Sequence, residues 1–433
     1  MSRLRQFDGQ VASAVANGND SRREPSGARF ALSGRLPGPW LAGALVIAAL
    51  ASVPLIAIAA SAPGAGIPAL GQLADTVLAA YVINTAALMA ITGALSVGMG
   101  VGAAWAVSAC DFPGRRVMGW ALVLPLALPS YIAAYVYADL LDFSGPVQSA
   151  LRTATGWGVD DYSFPPVRSL VGGAVILALV LYPYIYLLAR AAFATQSRAQ
   201  FRAARSLGAA PIRAFWRVAL PAARPAIAGG LALVMMEVLA DFGVAEYFAI
   251  PTFSTGIFRS WLAMGDRDAA MGLAALMLGF VAVLVGLEAA TRSGRSDSRD
   301  GLGAAGTDAE PLVALSPAGK ALAALGCAIP LALGFVIPAL HLVTLAFQDA
   351  AIRAAADLGE YAGASLRLGL TVALATTGLA LVLAFAKSRH PGGLVGGVVR
   401  LATLGYALPG ALLAVGLLAP LGRLDQGLTR FAT

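Results

Sequence analysis

Apolar residues run through this chain in long blocks, cut by short polar stretches in which glycine, proline and arginine recur. The blocks reach the roughly 18–20 residues that a helix needs to cross a bilayer. They predict about nine spans: Trp40–Ala60, Val77–Ala109, Val117–Leu140, Ser169–Thr195, Pro225–Val244, Ala269–Thr291, Ala321–Phe347, Leu366–Ala386 and Leu394–Leu421. The pattern is that of an all-α integral membrane protein, with six transmembrane helices in a first lobe and three in an incomplete second lobe. Pro125 and Pro129 fall inside the third block and predict a kink, which neighbouring helices can accommodate at membrane depth.

Polar composition sets the boundaries between these parts. Residues 1–39 hold Gly, Ser, Asn and Arg without an apolar run, which reads as a disordered cytoplasmic tail and not a signal peptide. The first lobe takes 40–291. Residues 292–317, rich in Ser, Gly, Asp and Arg, form a flexible cytoplasmic linker, and 318–433 form the partial second lobe. With 58% hydrophobic and 12% charged residues and a mean hydropathy of +0.76, a soluble fold is excluded.

Charge orients the spans. With the N-terminus inside, the segments 1–39, 110–116, 190–224, 292–320 and 387–400 hold 22 of the 30 lysines and arginines. That bias places them in the cytoplasm. It also explains the net charge of +7 without a nucleic-acid partner. Cys110 and Cys327 lack metal-ligand spacing and imply no disulfide framework, and His341 and His390 are too few and too separated for a metal centre. His341 is expected to satisfy a hydrogen bond near the membrane. No catalytic constellation is present.

A repeat lies on either side of the linker. The stretch from Tyr81 resembles that from Tyr361, Pro113-Gly114 recurs as Pro391-Gly392, and Leu128-Pro129 recurs as Leu408-Pro409, 280 positions on. Three matches in one order favour duplication, and repeated membrane halves commonly enclose a pathway between them. Pro129 and Pro409 then occupy equivalent places, either as hinges along that pathway or as ordinary kinks. The same offset carries the counterpart of the basic stretch described next beyond Thr433, so the second half is expected to be truncated.

That basic stretch, Gln200–Ala228, reads as a helix, a glycine break and a second short helix. Its arginines, Arg202, Arg205, Arg213, Arg217 and Arg224, keep it out of lipid. Phe201, Leu207, Ile212, Phe215, Trp216 and Val218 give it apolar surface for a partner. Gly208 permits a sharp turn, and Pro211 suits a first helical position. Small Ala203 and Ala204 allow close approach. The spacing from Arg202 through Ala203, Ala204, Gly208 and Val218 to Leu220-Pro221 resembles the coupling-loop motif of binding-protein-dependent (type I) ABC importer permeases. Arg202 stands where that motif has Glu. A basic amphipathic helix lying on headgroups would also use Arg and aromatics, but would not require this spacing.

The stretch from Met236 to Trp261 looks like the ferric-iron branch of the same permeases. The resemblance implies a permease subunit in the bacterial inner membrane, surrounded by lipid and with its N-terminus in the cytoplasm. A coupling loop at 197–224 would contact a cytoplasmic ATPase dimer, and a periplasmic binding protein would deliver ferric iron. Thiamine, polyamine, phosphonate or sulfate remain alternative cargoes. The chain has no GxxxxGK[ST] sequence, so ATP and Mg are expected on the separate ATPase and no cofactor on this chain. A homodimer is possible if the chain is naturally short.

Glu237 and Asp241, four residues apart, are expected on one helix face, and carboxylates at membrane depth suggest a translocation pathway. Pairing with Arg or capping of backbone is an equally good account of each. No resident metal site is expected. An ion-coupled secondary transporter would also use paired halves and buried carboxylates, and would work without an ATPase.

Overall fold

A computed structural model describes residues 38–61, 63–64, 67–195, 197–292, 313–347, 358–389, 393–403, 405 and 408–432. Most of the 1–39 tail, the linker from 293 to 312, and His390, Pro391 and Gly392 lie outside these residues. The helices are α1 (Pro39–Ser61), α2 (Ile67–Ala74), α3 (Leu78–Ala109), α4 (Arg115–Ala121), α5 (Ser130–Leu141), α6 (Pro146–Thr155) and α7 (Leu170–Thr195). They continue as α8 (Ser197–Ser206), α9 (Pro211–Ala214), α10 (Leu220–Ala240), α11 (Gly243–Tyr247), α12 (Phe253–Phe258) and α13 (Arg267–Arg292). The last five are α14 (Pro317–Leu331), α15 (Ile337–Ala346), α16 (Leu358–Arg389), α17 (Gly393–Thr403) and α18 (Gly410–Ala432). Single π-helical turns at Phe215–Ala219 and Ala332–Val336 interrupt otherwise continuous helix, and one at Arg259–Ala263 ends the helix begun by α12.

Among the described residues, seven helical segments are long and apolar enough to cross a membrane, or eight if one bent pair counts as a span. The third of the nine predicted blocks differs from expectation at its two prolines. The third block is not a kinked helix. Arg115–Ala127 and Ser130–Thr155 meet at 90°. Pro125 sits in a 3-10 turn, Leu128 before Pro129 is extended, and Pro129 itself opens α5 with ψ 137. Proline disfavours helical geometry in the residue before it, so two prolines four positions apart break the span outright. In the ninth block α17 ends at Thr403, and α18 begins at Gly410, after Pro409.

The fifth span also starts earlier than expected. Pro211–Ala240 is one continuous 30-residue segment, so the second limb of the basic island is the foot of that span. The π turn at Phe215–Ala219 widens the helix just before Pro221, which has no N–H to continue the ladder.

Helix bounds follow the repeat. α3 and α16 both have 32 residues and begin 280 positions apart, and α5 and α18 keep that offset, each beginning after a proline. The first helices of the two halves are exchanged. α1 packs on α16, α17 and α18, while α14 and α15 pack on α3, α4 and α5. Glycines permit both contacts. A Cβ on Gly416 would lie 2.7 Å from Pro54 O, and one on Gly334 would meet Leu179 O and Pro125. Tyr137 donates to Leu333 O, tying the second half to the first, and Val313 N, near the end of the 292–317 stretch, donates to Ala109 O at 2.9 Å.

α7 is the most buried span, with Tyr182, Ile185 and Tyr186 fully enclosed, and it packs chiefly on α3 and α10. Gly100 and Gly230 admit its Ile185 closely from either side. The chain enters the basic island directly from this axial helix. By contrast, α16 buries only Ala386 and presents Leu366, Leu370, Leu374 and Phe385 outward.

Candidate functional site

The island is a tight helix-turn-helix, and its turn is set by hydrogen bonds to the end of α8. Gly208 adopts φ +86°, its N–H donates to Arg205 O at 3.0 Å, and Ala209 N–H donates to Ala204 O at 3.1 Å. This is the Schellman arrangement, which satisfies carbonyls that a helix end leaves open and which favours glycine at the left-handed position. Ala204 and Ala209, the pair that such a motif brings into contact, are both half-buried. Arg205 adds a hydrogen bond to Ala209 O at 2.7 Å. Ala210 is extended, and Pro211 then opens α9 at a position where its missing N–H costs nothing.

The island has two faces, and they divide the residues singled out from the sequence. Phe201 is 1% exposed, Ala204 is half-buried and Phe215 is partly buried, all turned into the protein's own core. Val218, Leu220 and Pro221 are half-buried where the second limb joins α10. On the opposite face Leu207 is 88% exposed, Ile212 65% and Trp216 61%, although all three are apolar. Arg202, Ala203, Arg205, Arg213 and Arg217 are exposed around them. The expectation that Phe201 and Phe215 press on a partner is therefore corrected, and the paired alanines point to different sides.

What holds the inward face is Trp105, which the sequence reading passed over. Its ring centroid on α3 lies 5.2 Å from Phe201, 4.8 Å from Phe215 and 5.3 Å from Phe193 near the end of α7. A tryptophan inside an apolar block reads equally as a lipid-facing residue, so no local signal marked it.

The two membrane-depth carboxylates do not share a helix face. α10 ends at Ala240, and Asp241 lies one residue beyond with ψ 120. Its Oδ1 accepts from Val244 N at 2.9 Å and Ala245 N at 3.3 Å, and its Oδ2 accepts from Ser130 Oγ at 2.7 Å. Asp competes with helix by hydrogen-bonding nearby backbone, which is why the span stops here and α11 starts. The Asp241 carbonyl in turn accepts from Ser254 Oγ at 2.6 Å. Glu237, half-buried one turn earlier, accepts from Tyr184 Oη at 3.3 Å across the α7–α10 contact. Pro129 stands beside Ser130 in this polar knot, whereas Pro409 opens α18 elsewhere. His341 Nε2 lies 2.6 Å from Asp139 Oδ2, joining α15 to α5. Among the described residues no group of three or more His, Cys, Asp or Glu could hold a metal ion.

With this geometry in place, comparison with known proteins gives a consistent answer. Residues 96–289 match the model of a family described as the binding-protein-dependent transport system inner membrane component. A probable molybdenum ABC transporter permease protein of Haloferax volcanii is 30% identical over 271 residues, covering 60% of this chain and 93% of that one. The chain belongs to this family.

Other relatives of this inner membrane component differ in cargo. An Fe(3+)-transport system permease protein of Haemophilus influenzae is 24% identical over 344 residues, which is 78% of this chain. The chain spans 63% of that relative's length. A sulfate transport system permease protein of Synechocystis is 26% identical over 216 residues, covering 50% of this chain and 73% of the relative. The family match runs from within α3 to α13 and so takes in Trp105, the broken third span, the whole island and both carboxylates.

Proposed function

We propose that this inner membrane component is the permease of an ATP-driven importer and that its island, 200–221, is the coupling loop. In this reading the island end of the bundle faces the cytoplasm, as the arginine distribution favours. A cytoplasmic ATPase dimer, holding ATP and Mg, seats one subunit over Leu207, Ile212 and Trp216. The observation that carries the proposal is the division of the island, with an aromatic face locked into the spans and an apolar, arginine-framed face left open. Such a face suits a protein groove, because apolar contact supplies affinity and Arg supplies orientation.

Closure of the ATPase pair on ATP would press the island toward its counterpart and tilt α7 and α10 with it. The spans would then open outward to a loaded binding protein, and hydrolysis would return them inward. In this reading the pathway lies between the two halves, each of which holds the first helix of the other. The broken third span suits the wall of such a pathway. A groove of about 600 Å³ lies along it, between Trp120, Leu124, Ala127 and Arg190. Irregular backbone at membrane depth is tolerated where it is buried or lines a water-filled cavity.

Ferric iron is the leading cargo, supported by the Haemophilus relative, whose match extends over most of this chain. Sulfate or molybdate is the second reading. It is favoured by two relatives, and by the engagement of both Asp241 oxygens as hydrogen-bond acceptors, which leaves that carboxylate less apt to bind a metal. The test is ATP-dependent uptake of radiolabelled ferric iron, sulfate and molybdate by cells expressing the chain, beside co-purification of an ATPase. Deleting 200–221 is expected to abolish both. Uptake that survives the deletion would refute the coupling reading.

A further inference from the structure

We infer that Trp105 is the positioning residue through which movement of the island reaches the spans; this rests on the coupling role proposed above. The island is attached to the bundle by two main-chain connections, one from α7 into α8 and one through the π turn into α10. The second limb continues as α10, so the part able to swing is α8 with the Gly208 turn, held by the chain only at α7 and at α9. A load arriving on its exposed face would then be absorbed by that swing. Trp105 supplies a third attachment, from α3, which is remote in sequence from both limbs.

The contacts are made at ring edges and tilted faces, the arrangements that aromatic pairs prefer. Interplanar angles are 60° to Phe201, 52° to Phe215 and 80° to Phe193. Each ring comes from a different element: α8, the π turn and α7. Phe201 is decisive, since among the described side chains of α8 from Gln200 onward it alone is fully buried. Removing the indole would leave α8 without its principal anchor while leaving Leu207, Ile212 and Trp216 untouched on the other face. Assembly with a partner and transmission through the island are thus separable in this structure. A residue that only fills core space would not separate them.

The test uses the full chain in lipid nanodiscs with whichever ATPase co-purifies with the tagged wild type. Nitroxide labels go on Val159→Cys in the first half and Leu358→Cys in the second, two exposed positions at the end of the bundle away from the island, in a Cys110→Ala, Cys327→Ala background. ATP with vanadate is expected to shift the distance between the labels in the wild type and in Trp105→Phe. In Trp105→Ala the shift should be lost while ATPase co-purification and basal hydrolysis stay within about twofold of wild type. Phe201→Leu, which keeps apolar volume and loses the ring, should behave as Trp105→Ala and decides the matter if that variant does not fold. A preserved shift in these variants overturns the inference. So does parallel loss of ATPase binding and shift, which marks a packing role only. A wild type that retains no ATPase, or shows no shift, overturns the coupling reading itself.

Discussion

Substitution of Gly208 isolates the energetics of the island turn, because its surroundings contribute nothing. A Cβ at this position would meet no atom within 4 Å, so the whole cost is that of the backbone at φ +86°. Holding an L-residue in the left-handed region costs about 1–2 kcal/mol, and replacing glycine returns about 0.4–1 kcal/mol through the unfolded chain. For Gly208→Ala the net is about 0.5–1 kcal/mol, or roughly two- to fivefold in affinity for a partner that selects the native turn. Asn visits this region more readily and should fall near wild type, while β-branched Val should lose more than tenfold, on the order of 1.5 kcal/mol. The assay pairs ATPase titration with hydrogen exchange at the Gly208 and Ala209 amides, which the native turn protects through Arg205 O and Ala204 O. Protection should fall in the order Gly, Asn, Ala, Val, and global melting should not move. Asn weaker than Ala, or binding lost with exchange protection intact, would refute the turn-strain argument and point to collision with the partner.

Three further outcomes follow from the same contacts. Asp241→Asn keeps an Oδ1 acceptor and should retain uptake, whereas Asp241→Ala should lose about 0.5–2 kcal/mol of stability, the usual value of a lost cap. A strong uptake defect in Asp241→Asn with unchanged melting would instead place that charge on the pathway. Gly416→Ala forces a methyl to within 2.7–2.9 Å of the Pro54 backbone and should cost about 1–3 kcal/mol by overpacking, while Gly396→Ala, with open space around it, should not destabilise; thermal melts compare them. Burial pushes the Cys110 thiol above its ordinary range, with Arg115 pulling it partly back, so thiolate is scarce near neutral pH. Maleimide labelling of Cys110 should therefore need denaturant, as mass spectrometry would show.

Much of this fold was legible because apolar block length and arginine placement are one-dimensional signals. The island was the clearest case. Gly208 and Pro211 predict a sharp turn followed by a helix start, and the structure has both, the turn in Schellman form. What the sequence could not convey was direction. Phe201 and Leu207 are both large apolar residues on α8, yet one is enclosed and the other is 88% exposed, and only the position of α3 decides which. The carboxylates failed for a related reason. A spacing of four means one face only if the helix continues, and Asp241 is itself the residue that ends it by bonding to Val244, Ala245 and Ser130. Prolines in apolar blocks were read as kinks, because neighbours often repair such defects. Here two in succession left too little helix between them to repair.

The exchange of first helices carries the argument one step further. Sequence repeats reveal which segments are equivalent, but not which copy packs on which, since α1 and α14 present similar apolar surfaces to either half. The glycine contacts settle this, because each is specific to one pairing: Gly416 fits Pro54 of α1, and Gly334 fits Pro125 and Leu179. Each half thus holds an arm of the other, and any motion that parts them must drag α1 along with α18 and α14 along with α3. The island hangs from α7 and is braced through Trp105 on α3, a helix that α14 also packs against. A push on the island would therefore move not one span but the clasp between the halves. Alternating access built on this chain would be a rocking of braced units, with the polar knot at Ser130, Asp241 and Ser254 holding the far end of α10 fixed in its unit.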